Sequence, residues 1–335
     1  MVFVDYNSVN GAKSDHLISM ASQISELYPQ LGSIYEIHFV TSSENHTYRI
    51  LSEQGDFAMR AQRPGYHSLE EINAELQFVE TLSNSSIATA KPVMRTDGNF
   101  VSHMQTPEGS RLVTLFHWVN GRHPEETEFY DTYGKMGSIM GHMHRVSTQI
   151  SHDYIKRRPR WTLDEIIGSH AVWGSWDHPD YIGQSQRQLI SDFLALFKSQ
   201  LAEYDSTGRC GLIHADMRPT NVILNEGEVI TIDFDDCCHS WYLFDIAATV
   251  SFLEHRPDLP EWLNHFISQY RYQSPLSKQE VDLLPFFIGL RRVQLMAWYF
   301  SHRESAYAQS LGDTWLYQSF DVISNIMNHQ LSFIH

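Results

Sequence analysis

A single change of hydrophobic period, near Gly121, does most to limit how this 335-residue chain can fold. Before it, apolar residues come in short runs rich in β-branched and aromatic side chains, the pattern of half-buried strands. Residues 33–40 (SIYEIHFV) and 47–52 (TYRILS) are two such runs separated by a polar turn, and residues 56–63 (DFAMRAQR) follow Gly55 as a third. They predict an antiparallel meander. Leu69, Ile72, Leu76, Val79 and Leu82 then recur at three- and four-residue steps, with Ser68 and Glu71 placed as a capping box at the start of the helix this implies. Its stripe should lie on the meander. Two further strands are expected near residues 91–95 and 112–118.

After Gly121, with Pro124 as a second breaker, helical spacing takes over. Helices are expected over residues 133–147, with Met136, Ile139, Met140 and Met143 inward, and over residues 186–201, about 241–254 and 315–331. Another begins at a capping box made by Ser277 and Glu280. Residues 153–179, rich in Arg, Trp and Pro, fit neither period and read as an insertion. The fold class is therefore α+β: residues 1–119 form a small antiparallel-sheet lobe with one helix, and residues 120–335 a larger, mainly helical lobe.

A net charge of −16 argues against non-specific attraction to nucleic acid or to an anionic membrane, and is compatible with a cationic ligand. No apolar run approaches the roughly 18 residues of a membrane span, and residues 1–15 lack a basic-then-apolar leader pattern. Three cysteines, Cys210, Cys237 and Cys238, make no disulfide framework, so the chain reads as cytoplasmic. His142 and His144, two apart on a helix, face different ways and do not make a zinc pair.

One stretch of the helical half breaks its pattern. LIHADMRPTNVIL, residues 212–224, sets His214, Asp216 and Asn221 between apolar flanks. A carboxylate beside a carboxamide is costly to bury without partners. A hydrogen-bonded turn would account for the residue types alone. The following residues, 225–236 (NEGEVITIDFDD), add a short strand at 229–232 joined back through Gly227 as a hairpin, whose end delivers Asp233. Asp216, Asn221 and Asp233 are thereby expected to converge.

H-x-D-x-x-x-x-N at His214, Asp216 and Asn221, then D-F-x at Asp233, Phe234 and Asp235, then WYLFDIA ending at Ala247, resembles the protein-kinase-like superfamily. The closer resemblance is to its aminoglycoside phosphotransferase and choline kinase branch, which includes a homoserine kinase type. It spans about residue 33 to residue 252. The resemblance implies a bilobal kinase fold with ATP between the lobes. It further implies Asp216 as acceptor of the hydroxyl proton, Asn221 and Asp233 as Mg²⁺ ligands, Asp245 as a brace for the loop and His214 as a hydrogen-bonding partner within it. In the small lobe it places Arg60 and Glu75 at the phosphate-pairing cation and its glutamate. Ser42 and Ser43 fall in the turn over the phosphates, and His117 and Val119 where backbone meets adenine.

Two departures stand out. Arginine replaces the usual lysine at Arg60, and the two cations differ at a bidentate site. The turn TSSENHT has no glycine. The function expected is ATP-dependent phosphorylation of a hydroxyl on a small molecule, an amino alcohol or hydroxy amino acid such as homoserine, or an aminoglycoside. The alternatives are a Ser/Thr protein kinase of the bacterial stress-response type and a non-catalytic nucleotide-binding regulator. Acidic residues such as Asp235 and Asp236 favour an amine-bearing acceptor. Oligomeric state is not legible from these residues.

Overall fold

The structure, a computed structural model, describes residues 11–42 and 44–328. The chain divides into two compact units, residues 1–120 and 121–335. Each is described by itself.

The first unit is built on a five-stranded antiparallel sheet of β1 (Ile34–Ser42), β2 (His46–Ser52), β3 (Gly55–Ala61), β4 (Val101–Thr106) and β5 (Gly109–His117). Their order is β1-β2-β3-β5-β4. The expected meander is present as β1 to β3. Two expectations are corrected. Residues 91–95 are not a strand: Pro92 has no N–H to give a ladder, and the segment only runs beside β5, with a bridge at Phe116 and a bond from Val93 N to Leu115 O. The fifth strand is β4, whose polar-rich sequence VSHMQT hid its alternation of buried and exposed residues.

Among its described residues this unit also holds two α-helices where one was expected. Helix α1 (Gly11–Leu27) lays Met20 and Ile24 on the sheet face formed by Tyr48, Ile50, Phe57, Met59, Val113 and Leu115. Its few apolar residues are scattered among serines, so its period is faint. Helix α2 (Leu69–Asn84) starts at the Ser68–Glu71 capping box, both halves of which form. Its Ile72 and Leu76 pack with Phe100, Val101, Leu112 and Phe116. Side chains alternate across a strand. Met59 therefore belongs to the α1 face and Arg60, one residue on, to the α2 face. Leu69 of the expected stripe is exposed.

In the second unit, α3 (Phe129–Ser147) buries Met136, Met140 and Met143. Short helices α4 (His152–Ile155) and α5 (Leu163–Ile167) precede α6 (Gln184–Asp205). Strand β6 (Cys210–Ile213) pairs antiparallel with β9 (Cys238–Trp241), and between them β7 (Val222–Asn225) and β8 (Glu228–Thr231) form a hairpin. Its two-residue turn has φ of 51° at Glu226 and 86° at Gly227, the twist that tight hairpins select. At the start of the unit, Gly121 has φ of 126°, and a side chain there would collide with the carbonyl of Leu224, to whose strand Arg122 is bridged.

Helix α7 is shorter than expected, Tyr242–Ala248, and the chain then doubles back through turns in which Phe252 has φ of 69°. Helices α8 (Leu259–Gln273), α9 (Lys278–Ser301) and α10 (Ala306–Met327, turning at Gly312) complete the unit. The Ser277–Glu280 capping box forms at the start of α9. Helix α8 was not foreseen, and residues 329–331 of the last expected helix lie outside the described residues. Residues 153–179 are no detached insertion. Trp161 N donates to His239 O and His239 N to Pro159 O, zipping the segment alongside β9.

Candidate active site

The loop from His214 to Asn221 joins β6 to β7, and the carboxylate of Asp245 on α7 holds its entrance. Asp245 Oδ1 accepts from Ala215 N at 2.7 Å and Oδ2 from His214 N at 3.1 Å. Both bonds support the left-handed conformation of Ala215, φ 67°, which a side chain disfavours. Asp245 is itself fixed by His144 of α3, whose Nε2 lies 2.9 Å from Oδ2. A carboxylate only accepts, so His144 donates through Nε2 and takes the Tyr270 hydroxyl on Nδ1 at 2.7 Å. Burial pushes the His144 pKa down even against the pull of Asp245. His144, no partner of His142 in a zinc pair, is instead a positioning group for Asp245.

His214 is also neutral, its pKa lowered by burial. It donates from Nε2 to Ile232 O at 3.1 Å and accepts from Asp216 N on Nδ1 at 3.3 Å. With both ring nitrogens engaged, it is an internal tie of the loop.

Asp216 receives donors on both oxygens. Arg291 Nη2 donates to Oδ1 at 2.8 Å, while Asn221 Nδ2 at 2.8 Å and Arg218 Nε at 3.2 Å donate to Oδ2. Carboxylate oxygens offer about four lone-pair positions. Among the described residues three are used, which leaves room for one more donor. Burial opposes the charge of Arg218, but Asp216 and the Tyr307 hydroxyl more than restore it, so its pKa stands above the usual arginine value.

Asn221 links this carboxylate to the hairpin. Its Nδ2 also bonds Asp216 O at 2.9 Å, and its backbone O accepts from Ile232 N at 3.0 Å. Asp233 is the next residue, with φ of 62°. The 233–237 turn is gripped by Arg158, a buried side chain that donates from Nε to Cys237 O and from Nη2 to Asp235 O, each at 2.6 Å. The structure thus chains Asp216, Asn221 and the backbone leading into Asp233 together.

The first unit brings Arg60 and Glu75 together. Arg60 Nη2 lies 2.7 and 2.6 Å from the two Glu75 oxygens, both side chains are buried, and the guanidinium stands 5.2 Å over the Phe116 ring. Ser42 is exposed and its Oγ is 3.2 Å from His46 Nε2; Ser43 lies outside the described residues. Asn45 is turned onto the segment after β3, accepting from Arg63 N at 2.8 Å. The His117 amide is spent on Lys91 O and that of Trp118 on Asp56 O. Among the described residues the Val119 amide has no hydrogen-bond partner, so of this pair Val119 is the one with a donor to offer.

Sequence reasoning missed Arg158, Arg218 and Arg291. Arg291 and Arg292 were visible as two cations inside an otherwise apolar helical run. Helix α9 buries every residue from Leu290 to Ala297, so each cation had to have a built partner.

Residues 36–280, well over half of the chain, match the model of the phosphotransferase enzyme family, APH. Amicoumacin kinase of Bacillus subtilis (strain 168) is 21% identical over 271 residues, covering 77% of this chain and 78% of that protein. Homoserine kinase of Neisseria meningitidis serogroup B is 27% identical over 64% of this chain and 67% of its own. Among solved structures, the microcompartment-associated aminopropanol kinase aligns with a TM-score of 0.81 and 28% identity, over 93% of this chain and 98% of that one. The chain belongs to the phosphotransferase enzyme family and is a small-molecule kinase, an ATP-dependent phosphotransferase with a hydroxyl acceptor.

Proposed function

We propose that the chain transfers the γ-phosphoryl group of ATP to the hydroxyl of a small amino alcohol or hydroxy amino acid. The observation that carries this is the Asn221 bridge, which bonds Asp216 on one side and the residue before Asp233 on the other. Relatives named for homoserine and aminopropanol support the acceptor class, since both are alcohols that bear an amine. A net charge of −16 suits such an acceptor.

Asp216 is the proton acceptor in this reading. The acceptor hydroxyl takes the fourth lone-pair position of its carboxylate, the hydroxyl oxygen bonds the γ-phosphorus as the bond to the ADP oxygen breaks, and the proton passes to Asp216. Arg291 and Asn221 hold that carboxylate in place. His214, neutral and tied at both nitrogens, fixes the backbone beneath it.

The residues fit a magnesium ion. Asn221 has its nitrogen committed to Asp216, which leaves its carbonyl oxygen as a hard ligand, and Asp233 offers carboxylate oxygens. Mg²⁺ sites take one or two such protein ligands and fill the rest with phosphate and water. When bound, the ion would neutralise charge on the nucleotide phosphates. Arg60, held against Glu75, would supply a cation for those phosphates, and Val119 a backbone donor for adenine.

The test is acceptor-dependent ADP release by purified protein with ATP and Mg²⁺, across amino alcohols, hydroxy amino acids and aminoglycosides. Release that rises with one of the first two classes is the expected result. ATP binding without acceptor-dependent turnover across the panel would sink the reading.

A further inference from the structure

We propose that Arg218 recognises a carboxylate on the acceptor, so that the preferred substrate is a hydroxy amino acid rather than the amino alcohol of the same skeleton. This rests on the kinase reading above and narrows its acceptor.

Two arginines bond the Asp216 carboxylate, Arg291 and Arg218, and they differ from each other and from Arg292, the neighbour of Arg291 on α9. Arg291 is 2% exposed and all three of its nitrogens are engaged, with Ser251 Oγ, Gln294 Oε1 and Asp216. Arg292 is wholly buried and likewise satisfied by Ser319, Glu254 and Trp315 O. Arg218 is 21% exposed; Nε makes the longest of the bonds to the Asp216 carboxylate, and among the described residues the other polar group beside the guanidinium is the Tyr307 hydroxyl. It retains donors to give.

Two aromatic rings flank that guanidinium. Its carbon lies 5.2 Å from the Phe252 ring and 5.7 Å from that of Tyr307. Phe252 is packed edge-on against Trp298 and Tyr307 and tilted against Trp315, at 5.8, 5.3 and 5.6 Å. It does this in a left-handed backbone conformation, a strained state for a bulky residue. Ala215 and Asp233, on the loops of the proposed site, share that strain. Such strain persists only where surrounding structure enforces it, and it gathers at functional sites. A partly exposed guanidinium, flanked by aromatic rings and bonded through Nε beside the proton acceptor, presents a fork suited to a planar carboxylate. Its aromatic supports come from the turns after α7 and from α10, segments that carry none of the residues assigned to nucleotide or metal.

The experiment uses matched pairs that differ only by the carboxylate: L-homoserine against 3-aminopropan-1-ol, and L-threonine against 1-aminopropan-2-ol. The wild-type protein should show higher kcat/KM for the amino acid of at least one pair. Arg218→Met should reduce that preference by about 10- to 100-fold, the range for losing a hydrogen bond to a charged group, and chiefly through KM. Arg218→Lys, which keeps a point charge, should recover part of it. Tyr307→Phe, which removes a support without touching Asp216, should move the ratio in the same direction by less. Thermal unfolding of each variant checks that it is folded. An equal loss for both members of a pair would mean that Arg218 serves Asp216 or the transferring phosphoryl group, and would overturn the proposal. So would a wild-type preference for the amino alcohol, which leaves the kinase reading standing. Silence with every acceptor removes both.

Discussion

Arg291 Nη2 donates to Asp216 Oδ1 at 2.8 Å, tying the centre of α9 to the loop after β6 across 75 residues of sequence. The bond couples the proposed chemistry to the core of the second unit. Arg291 is enclosed by Trp173 and Phe244, with its guanidinium carbon 5.3 and 5.8 Å from their rings, and among the described residues it pairs with no other carboxylate. A buried charge that loses its partner is destabilising, whereas loss of both partners is far milder.

Asp216→Asn should therefore lower kcat by about 100- to 10,000-fold, the usual yield of a positioned proton acceptor, while ATP binding persists. ADP release and a nucleotide titration measure the two separately. Near wild-type turnover in Asp216→Asn would remove Asp216 from its role.

The pair itself can be weighed by a double-mutant cycle in urea. Asp216→Asn, which leaves the buried Arg291 without a carboxylate, should destabilise by about 3 kcal/mol or more, and the same change in an Arg291→Met background should cost much less. Strict additivity would mean that the 2.8 Å contact contributes nothing to stability.

Much of this was legible in the chain, and the losses have physical causes. The meander and α2 declared themselves because each has one apolar face and, in α2, a capping box. Asp216, Asn221 and Asp233 were legible because polar residues between buried flanks demand an account. Helix α1 and strand β4 are hard to read because their apolar residues are sparse, and the end of α7 at Ala248 because no Gly or Pro follows it before the turn at Phe252. The arginines that hold the site were hidden for another reason. Arg158, Arg218 and Arg291 reach their partners only through tertiary packing, and no local spacing encodes a bond across 75 residues.

Arg60 and Glu75 offer a way to separate structure from binding. Arg60→Met leaves a fully buried Glu75 without its guanidinium, and should lower stability by about 3–5 kcal/mol as well as raising KM for ATP. Arg60→Met combined with Glu75→Leu removes both charges and should regain most of the stability. If Arg60 meets phosphate, KM for ATP stays high in the double variant. Recovery of ATP affinity together with stability would mark the pair as structural only.

The two buried histidines set a pH dependence of stability. His144 and His214 both have pKa values pushed down by burial, so the native protein holds them neutral while the unfolded chain protonates them near the ordinary value of about 6.5. For a depressed pKa, the unfolded state binds more protons as pH falls. Stability is therefore fully present above about pH 6.5 and declines below it, by about 1.4 kcal/mol per pH unit for each histidine that remains neutral. The bonds lost on protonation are specific: an imidazolium at His144 can no longer accept the Tyr270 hydroxyl, and one at His214 can no longer accept the Asp216 amide. Unfolding measured by urea at pH 7.5, 6.5 and 5.5 should show this decline, and His144→Gln, less stable at pH 7.5, should show a shallower one. A His144→Gln variant that retains the full wild-type slope would mean that His144 titrates alike in the folded and unfolded chain, against the burial that the structure gives it.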